Sequence, residues 1–432
     1  MRRTDVATAL FDGDRLRDFV AAGEKSPPPV FVGRTEAIAD IEAAARRAWK
    51  PGESKQGKPG ITRILQGAPG AGKSSILAEM EFRSHRAAAP GSPRVLVLSS
   101  EWLTSDLPSA LAAVSAAGGM NHDEWSKRAG RIHHRISAVG AFGLSLELAR
   151  SGAKPPDNLI ELARAMPATA WNAPLIAAVD EAQNLPAGET MPTAIFLRSI
   201  HNATSGLPLT LVLAGLGDTQ DRAQKMGLTR GLKLYEVGRL SVEETDELMR
   251  GFCRRFGLRA DGSEPYLAEL AAGAEGWPRH LHFALQALGE EALAADGDLG
   301  RISWSAAAKE AAESRLRYYR AQQSPELKAT DRLVAAVMRD LRDDMPWSDV
   351  VGLIEANAAD APGFRLPDST TPEAFFRRLV HQGALHEGAD GRFHCPIPSF
   401  RSFLIDAGER ILRRGPTPPP KPDLPEGSPS LF

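Results

Sequence analysis

The stretch that most narrows what this chain can become is Gly67-Ala68-Pro69-Gly70-Ala71-Gly72-Lys73-Ser74. Glycine adopts backbone conformations that other residues avoid, and it leaves N–H groups bare where a side chain would collide with a bound anion. The run ITRILQG at 61–67 predicts a short buried strand before this loop, and KSSILAEMEFRSHRA at 73–87 predicts a helix after it. The helix N-terminus would present its dipole to the same charge. In that strand–loop–helix setting the pattern G-x-x-x-x-G-K-[ST] is a phosphate cradle. Lys73 reaches the β- and γ-phosphates and Ser74 offers a hydroxyl to Mg²⁺. Ser75 joins the nucleotide-binding candidates. The implied ligands are ATP and Mg²⁺.

Three further apolar runs, RVLVLSS at 94–100, PLIAAVD at 174–180 and LTLVLAG at 209–215, alternate with helical stretches. Short all-apolar strands separated by helices predict an α/β fold with a parallel sheet covered on both faces. The run ending in Asp180 is followed by Glu181. A carboxylate at the end of a neighbouring strand holds Mg²⁺, and an adjacent glutamate orients and polarises an attacking water. Asp180 is therefore the metal candidate and Glu181 the catalytic one, a pair that points to hydrolysis rather than binding alone.

Composition excludes several classes. A formal net charge of -2 argues against a chain that coats nucleic acid along its whole surface. The most apolar stretch, 209–217, is far below the roughly 20 residues of a membrane span. The N-terminus interrupts its apolar positions with acids, so no signal-peptide core is expected. Cys253 and Cys395 stand far apart and outside any metal-ligand spacing, which fits core residues in a reducing cytoplasm.

Other boxes then fall into a familiar order. Phe31-Val32-Gly33-Arg34 with Glu36 precedes the phosphate loop, and Gly276-Trp277-Pro278-Arg279 follows the last strand. Together with the loop and the Asp-Glu pair, they resemble the AAA+ ATPases, within them the replication-initiator-like and STAND-like branches, over about Phe31 to Phe403. The resemblance implies a P-loop core closed by a helical lid. Phe31, Val32 and Arg34 would pack near the adenine. Arg279 would be the sensor 2 arginine, pointing back at the phosphates from a helix opened by Gly and Pro. Sensor 1 would lie just after LVLAG, where the nearest polar residues are Asp218 and Thr219. An arginine finger, reaching a neighbouring subunit's γ-phosphate, would be Arg230, with Arg222 and Arg239 as rivals. ATP at a subunit boundary implies self-assembly.

Residues 326–412 read as three helices, a hairpin with a Gly-Ala-Asp-Gly turn, and a final helix, an order that resembles a winged helix. DNA contact by such a domain would use Arg377, Arg378 and His381 on the third helix and Arg392 in the wing. From 325 to 414 there are 12 Lys plus Arg against 14 Asp plus Glu, short of the basic surplus that a duplex demands. The chain thus divides into an N-terminal helix and Pro-rich joint (1–29), an AAA+ core (30–240) with an insert at about 101–173, a lid (241–324), a winged-helix-like domain (325–414) and a disordered Pro-rich tail (415–432). The insert carries a candidate hairpin at 135–149 beside His133 and His134, read as solvated histidines. Two functions stay open: a cytoplasmic, ATP-assembled switch controlling a partner protein or effector, and an initiator- or transposition-type ATPase that works on double-stranded DNA. Either way, Lys73→Ala is expected to abolish binding of a fluorescent ATP analogue, and unchanged binding would remove the loop from its role.

Overall fold

In the computed structural model, residues 10–23, 28–48, 62–86, 92–105, 174–186, 188–203, 209–359, 361, 363–367, 369–388 and 390–414 are described. The expected hairpin at 135–149, His133, His134 and the Pro-rich tail lie outside them.

Five strands form the central sheet: β1 (Thr62–Gln66), β2 (Arg94–Ser99), β3 (Leu175–Asp180), β4 (Leu209–Gly215) and β5 (Leu232–Glu236). All neighbours run parallel, in the order β2-β3-β4-β1-β5. Parallel strands need crossover connections, and helices supply them here. Side chains alternate across each strand. Ile64, Leu211 and Leu213 therefore enter one apolar layer, and Leu65, Val212 and Ala214 enter the other. The first layer is completed by α4 (Ser100–Ser105), through Leu103, and by α5 (Pro192–Ala203), through Ala194, Phe196 and Leu197. The second is completed by α2 (Thr35–Ala48) and α3 (Lys73–Arg86), through Ile38, Ile41, Ile76 and Met80. A short helix, α6 (Thr219–Lys225), links β4 to β5.

The lid follows as α7 (Val242–Phe256), α8 (Glu264–Gly273), α9 (Pro278–Ala294) and α10 (Trp304–Gln322). Local chemistry sets its ends. Ser241 and Glu244 form a reciprocal capping box at the start of α7, and Gly257, at φ 64°, closes its C-terminus. Pro278 occupies the first turn of α9, where its missing N–H is no loss.

The N-terminal helix α1 (Gly13–Ala22) packs into the lid. Leu16 and Phe19 are buried in one cluster with Phe252 and Phe256, and the Phe19 and Phe252 rings meet edge-on at 5.6 Å. An amphipathic helix this short is marginal alone, so its apolar stripe needs such a partner.

The C-terminal region runs α11 (Pro325–Ala329), α12 (Asp331–Asp340), α13 (Trp347–Asn357), α14 (Pro372–His381), hairpin β6 (His386–Glu387) with β7 (Phe393–His394), and α15 (Pro398–Arg414). Thr371 caps α14 by accepting from Ala374 N, with Pro372 behind it. Met345 adds a bridge to Phe393 at the hairpin's edge. The core of this region, with Leu333, Val337, Phe375, Leu379 and Phe400, is continuous with the α2–α3 face of the sheet through Val237, Trp277 and Tyr319.

Helices α12 and α15 touch at Gly408, where a Cβ would lie 2.5 Å from Ala335 Cβ and 2.6 Å from the Asp331 carbonyl oxygen. Gly408→Leu should therefore lower stability by about 1–3 kcal/mol through overpacking. Urea unfolding checks this, and an unchanged midpoint would contradict the close approach.

Candidate nucleotide site

The phosphate loop lies where β1 meets α3. Gly67 N donates to Gly215 O at 3.2 Å, which ties the loop's first residue to the end of β4. A Cβ at Gly67 would stand 2.1 Å from Val237 O, so only glycine fits there. Gly70 and Gly72 have φ of 76° and 93°, the left-handed region that a side chain strains. The loop thus presents bare backbone above the N-terminus of α3.

Lys73 reaches back to the loop, its Nζ donating to Gly67 O at 2.8 Å and Ala68 O at 3.0 Å. Burial pushes its ammonium down to about 8, against the opposing pull of Asp180 and Glu181. A phosphate at the loop would favour the charged form again. Asp180 closes β3, and its Oδ1 accepts from Glu181 N at 2.9 Å. Glu181 sits at φ 53°, a left-handed turn just after the strand ends. Asn184 Nδ2 donates to Glu181 Oε2 at 3.2 Å and holds it.

Sheet order explains why these groups meet. Strand β4 lies between β1 and β3, so the phosphate loop and the acidic pair rise from the same end of the sheet, one strand apart. Both line one cavity of about 470 Å³ with Ser74, Ser75, Phe31, Val32, Arg34 and Arg279. Ser74 hydroxyl and Asp180 carboxylate are hard oxygen donors. So small a protein set suits Mg²⁺, which keeps several waters and takes the rest of its ligands from phosphate.

Arg34 donates through Nη2 to Gly238 O, and burial lowers its pKa while Glu244 works the other way. Gly33, at φ 67°, is pressed against Glu244, whose Oε1 would be 2.1 Å from any Cβ. Arg279 crosses from the lid. Its backbone N donates to Gly70 O at 3.1 Å, and its guanidinium lies over the Phe283 and Tyr318 rings at 5.3 and 5.6 Å. Trp277 Nε1 donates to Pro69 O at 3.2 Å. The lid therefore already touches the loop apex.

The sensor 1 candidates do not reach the cavity. Thr219 Oγ1 donates to Leu216 O at 2.7 Å. Asp218 receives Arg222 Nε at 2.7 Å, with His381 Nδ1 at 3.6 Å. Burial works to raise the Asp218 carboxyl, but Arg222 and His381 beside it hold it below its usual range. At the end of β4 the cavity is lined instead by Leu216 and by Gln183, whose Oε1 accepts from Leu216 N at 3.1 Å. Gln183, Asn184 and Tyr318 carried no motif that would single them out in the sequence.

Among the finger candidates, Arg222 also donates to Leu185 O and Arg239 to Pro396 O, so both serve their own subunit. Arg230 is exposed, outside its own cavity, and pairs with no described residue.

The C-terminal region lies directly on the loop. Gly383, at φ 73°, leaves no room for a Cβ, which would be 2.1 Å from Pro69 Cδ. Val380 and His386 pass near Gly217 more loosely, at 3.4 and 3.5 Å from its would-be Cβ, ordinary van der Waals range. Burial, with His394 and Lys73 nearby, pushes His386 down to about 4. Of the four residues expected to meet DNA, Arg377 and Arg378 are exposed, His381 faces Asp218, and exposed Arg392 donates to Asp344 O at 2.8 Å.

Against solved structures, the chain resembles the Aeropyrum pernix ORC2 protein in its ADPNP-ADP complexes at 15% identity and TM-score 0.52, covering 94% of this chain and 99% of that one. The ADP form of the same protein gives 15% identity and TM-score 0.51, covering 93% and 99%. The chain therefore shares its fold with that ORC2 protein. A Walker-type ATPase of Pyrococcus abyssi aligns at 16% identity and TM-score 0.46, over 86% and 97%. No protein-family model matches this chain, and no curated protein does. Two layers of this fold account for the site: the sheet and its helices supply the loop and the acids, and the helical layer α7–α10 supplies Arg279.

Gly383→Ala is expected to lift the C-terminal region from Pro69, since the closed pyrrolidine ring of Pro69 cannot swing away from a 2.1 Å contact. Hydrogen exchange should then quicken in α14 and in the loop after Pro69, without nucleotide added. Unchanged exchange in both would show that the contact does not hold the two together.

Proposed function

We propose that this chain binds Mg-ATP between core, lid and N-terminal segment, hydrolyses it, and uses the cycle as a switch that assembles on ATP and controls a partner protein or effector. The observation that carries this reading is a single cavity lined by the loop Gly70–Ser75, the pair Asp180–Glu181, Arg279, Phe31, Val32 and Arg34. In it, Gly67, Ala68, Pro69, Gly70, Ala71 and Gly72 give the phosphates a backbone cradle. Lys73 draws the β- and γ-phosphates. Ser74 and Asp180 hold Mg²⁺, which when bound neutralises phosphate charge. Glu181 orients a water in line with the γ-phosphorus and takes its proton as the P–O bond to ADP breaks, leaving phosphate. Arg279 steadies the charge that grows on the transferred group. Arg230 does the same for a neighbouring subunit.

The switch follows from contact. Pro69 touches Gly383, and Gly217 touches Val380 and His386, so a loop that moves with nucleotide pushes on the C-terminal region. That region reads best as a protein-docking arm, because its charge is near balance. The second reading, an initiator- or transposition-type ATPase acting on double-stranded DNA through a winged helix, is favoured by the exposed Arg377 and Arg378 on α14.

Glu181→Gln should keep ATP binding and reduce turnover by about 10²–10⁴-fold, the usual worth of a general base. Turnover like the wild type would remove Glu181 from its role. The same assay with duplex DNA separates the two readings: indifference to DNA supports the protein-partner switch, and a rate rise that fades with salt supports the second.

A further inference from the structure

After Glu181 the chain makes a short 3₁₀ turn, Ala182–Asn184, that carries two amides with different partners. Asn184 Nδ2 holds Glu181. Gln183 lies against the end of β4. Its Oε1 accepts from Leu216 N at 3.1 Å, and Gly215 leaves it room, since a Cβ there would be 2.7 Å from that oxygen. A backbone N–H needs an acceptor, and of the two ends of a glutamine amide only the carbonyl can serve. The orientation of the amide is thereby fixed, and Nε2 is the end left over. It donates to no described residue. Yet Gln183 is buried and lines the same cavity as Lys73, Asp180 and Glu181. Leu216, at the other end of the amide, opens the loop over which the C-terminal region lies. Val380 of α14 and His386 of β6 pass near Gly217, and Asp218 faces His381 of α14 at 3.6 Å. A second tie accompanies the first: Arg222 donates to Asp218 at 2.7 Å and to Leu185 O at 3.0 Å. The turn after Glu181 and the loop after β4 are thus fastened to each other at two points.

We infer that Gln183 donates through Nε2 to the terminal phosphate of ATP and, through Oε1 and Leu216, carries that contact to the C-terminal region, which thereby distinguishes ATP from ADP. This rests on the nucleotide-switch reading above and names the residue that would set the switch. A neutral amide donor gains most from an anionic oxygen, and a buried donor left without an acceptor is costly. The backbone cradle of the phosphate loop holds phosphates that both nucleotides carry, so the contact of Pro69 with Gly383 responds to either. Gln183 stands instead with the acids at the ends of β3 and β4, where only ATP brings a phosphate to be cleaved.

Two substitutions separate the ends of the amide. Gln183→Glu keeps an acceptor for Leu216 N and loses the donor. Gln183→Met has similar length, loses both, and adds no charge. The full chain is titrated by calorimetry with Mg-ADP and with Mg-ADPNP, an ATP analogue whose imido bridge resists hydrolysis, and hydrogen exchange is followed at saturation with each. In the wild type, exchange in Leu216–Lys225 and in α14 is expected to be about fivefold or more slower with ADPNP than with ADP. Both variants should bind ADP within about twofold of the wild type and ADPNP about tenfold or more weakly, the worth of a hydrogen bond to a charged group. Both should also lose the difference in exchange between the two nucleotides. A Met variant with wild-type ADPNP affinity would show that the Glu variant acts by repulsion alone, and it overturns the inference. So does an equal loss of ADP and ADPNP in either variant, which marks a structural role, and so does a wild-type difference in α14 exchange in either. Should Gln183→Met fail to fold, Gln183→Asn, whose shorter amide cannot span both partners, takes its place. A wild-type chain that binds both nucleotides with the same exchange in α14 overturns the coupling while leaving the nucleotide site standing. A chain that binds neither defeats the nucleotide reading itself.

Discussion

Pro69 and Gly70 are held from two sides at once, their carbonyls by Trp277 and Arg279 of the lid and the Pro69 ring by Gly383 of the C-terminal region. Those approaches are possible because the loop carries so little side chain. Any Cβ at Gly70 would meet Arg279 Cβ at 2.7 Å and Trp277 Nε1 at 3.0 Å. The property that lets N–H groups face an anion also lets two other layers close on the loop's outer surface. Interiors are packed too densely for such contacts to slide freely. A shift in the loop must therefore be passed on or resisted.

A second polar link joins two of these layers, the lid and the C-terminal region. Tyr319 Oη of α10 lies 2.9 Å from His280 Nε2 of α9 and 2.7 Å from Ser399 Oγ of α15, and Ser399 Oγ donates to Glu275 Oε2 at 2.8 Å. Burial pushes the Tyr319 hydroxyl well above its ordinary value, and burial with Arg315 nearby pushes His280 down to about 3. The network is thus held neutral at its centre. His280 follows Arg279 on the same helical turn, so the arginine that enters the cavity is one residue from the histidine that meets Tyr319, and Tyr319 reaches Ser399 of the C-terminal region.

Much of the site was legible because its chemistry is local. The glycine spacing of 67–72, the strand that ends in Asp180 and the Gly-Trp-Pro-Arg opening of α9 each encode their geometry within a few residues. Sensor 1 was not legible. The polar residues after β4 looked suitable by position, yet Thr219 turns back to cap its own turn and Asp218 is drawn away by Arg222 and His381. The DNA reading had the same weakness, since the helical pattern of 372–381 says which residues share a face and not what that face meets. Here one end of it meets Asp218.

From sequence alone, this chain was bound to form a parallel α/β sheet with a phosphate-binding loop, because buried strands and bare glycine backbone have few other uses. Helix boundaries were also settled locally, by Ser241 with Glu244, by Thr371 with Pro372, and by Gly257. Tertiary structure decided the rest: that α1 belongs to the lid, that Gln183 rather than Thr219 faces the cavity at the end of β4, and that the C-terminal region bears on Pro69. The physical reason is that these are long-range contacts between apolar faces or single glycines. An apolar stripe announces that it must be covered, but every stripe announces the same thing, and only the packed chain selects which surface covers which.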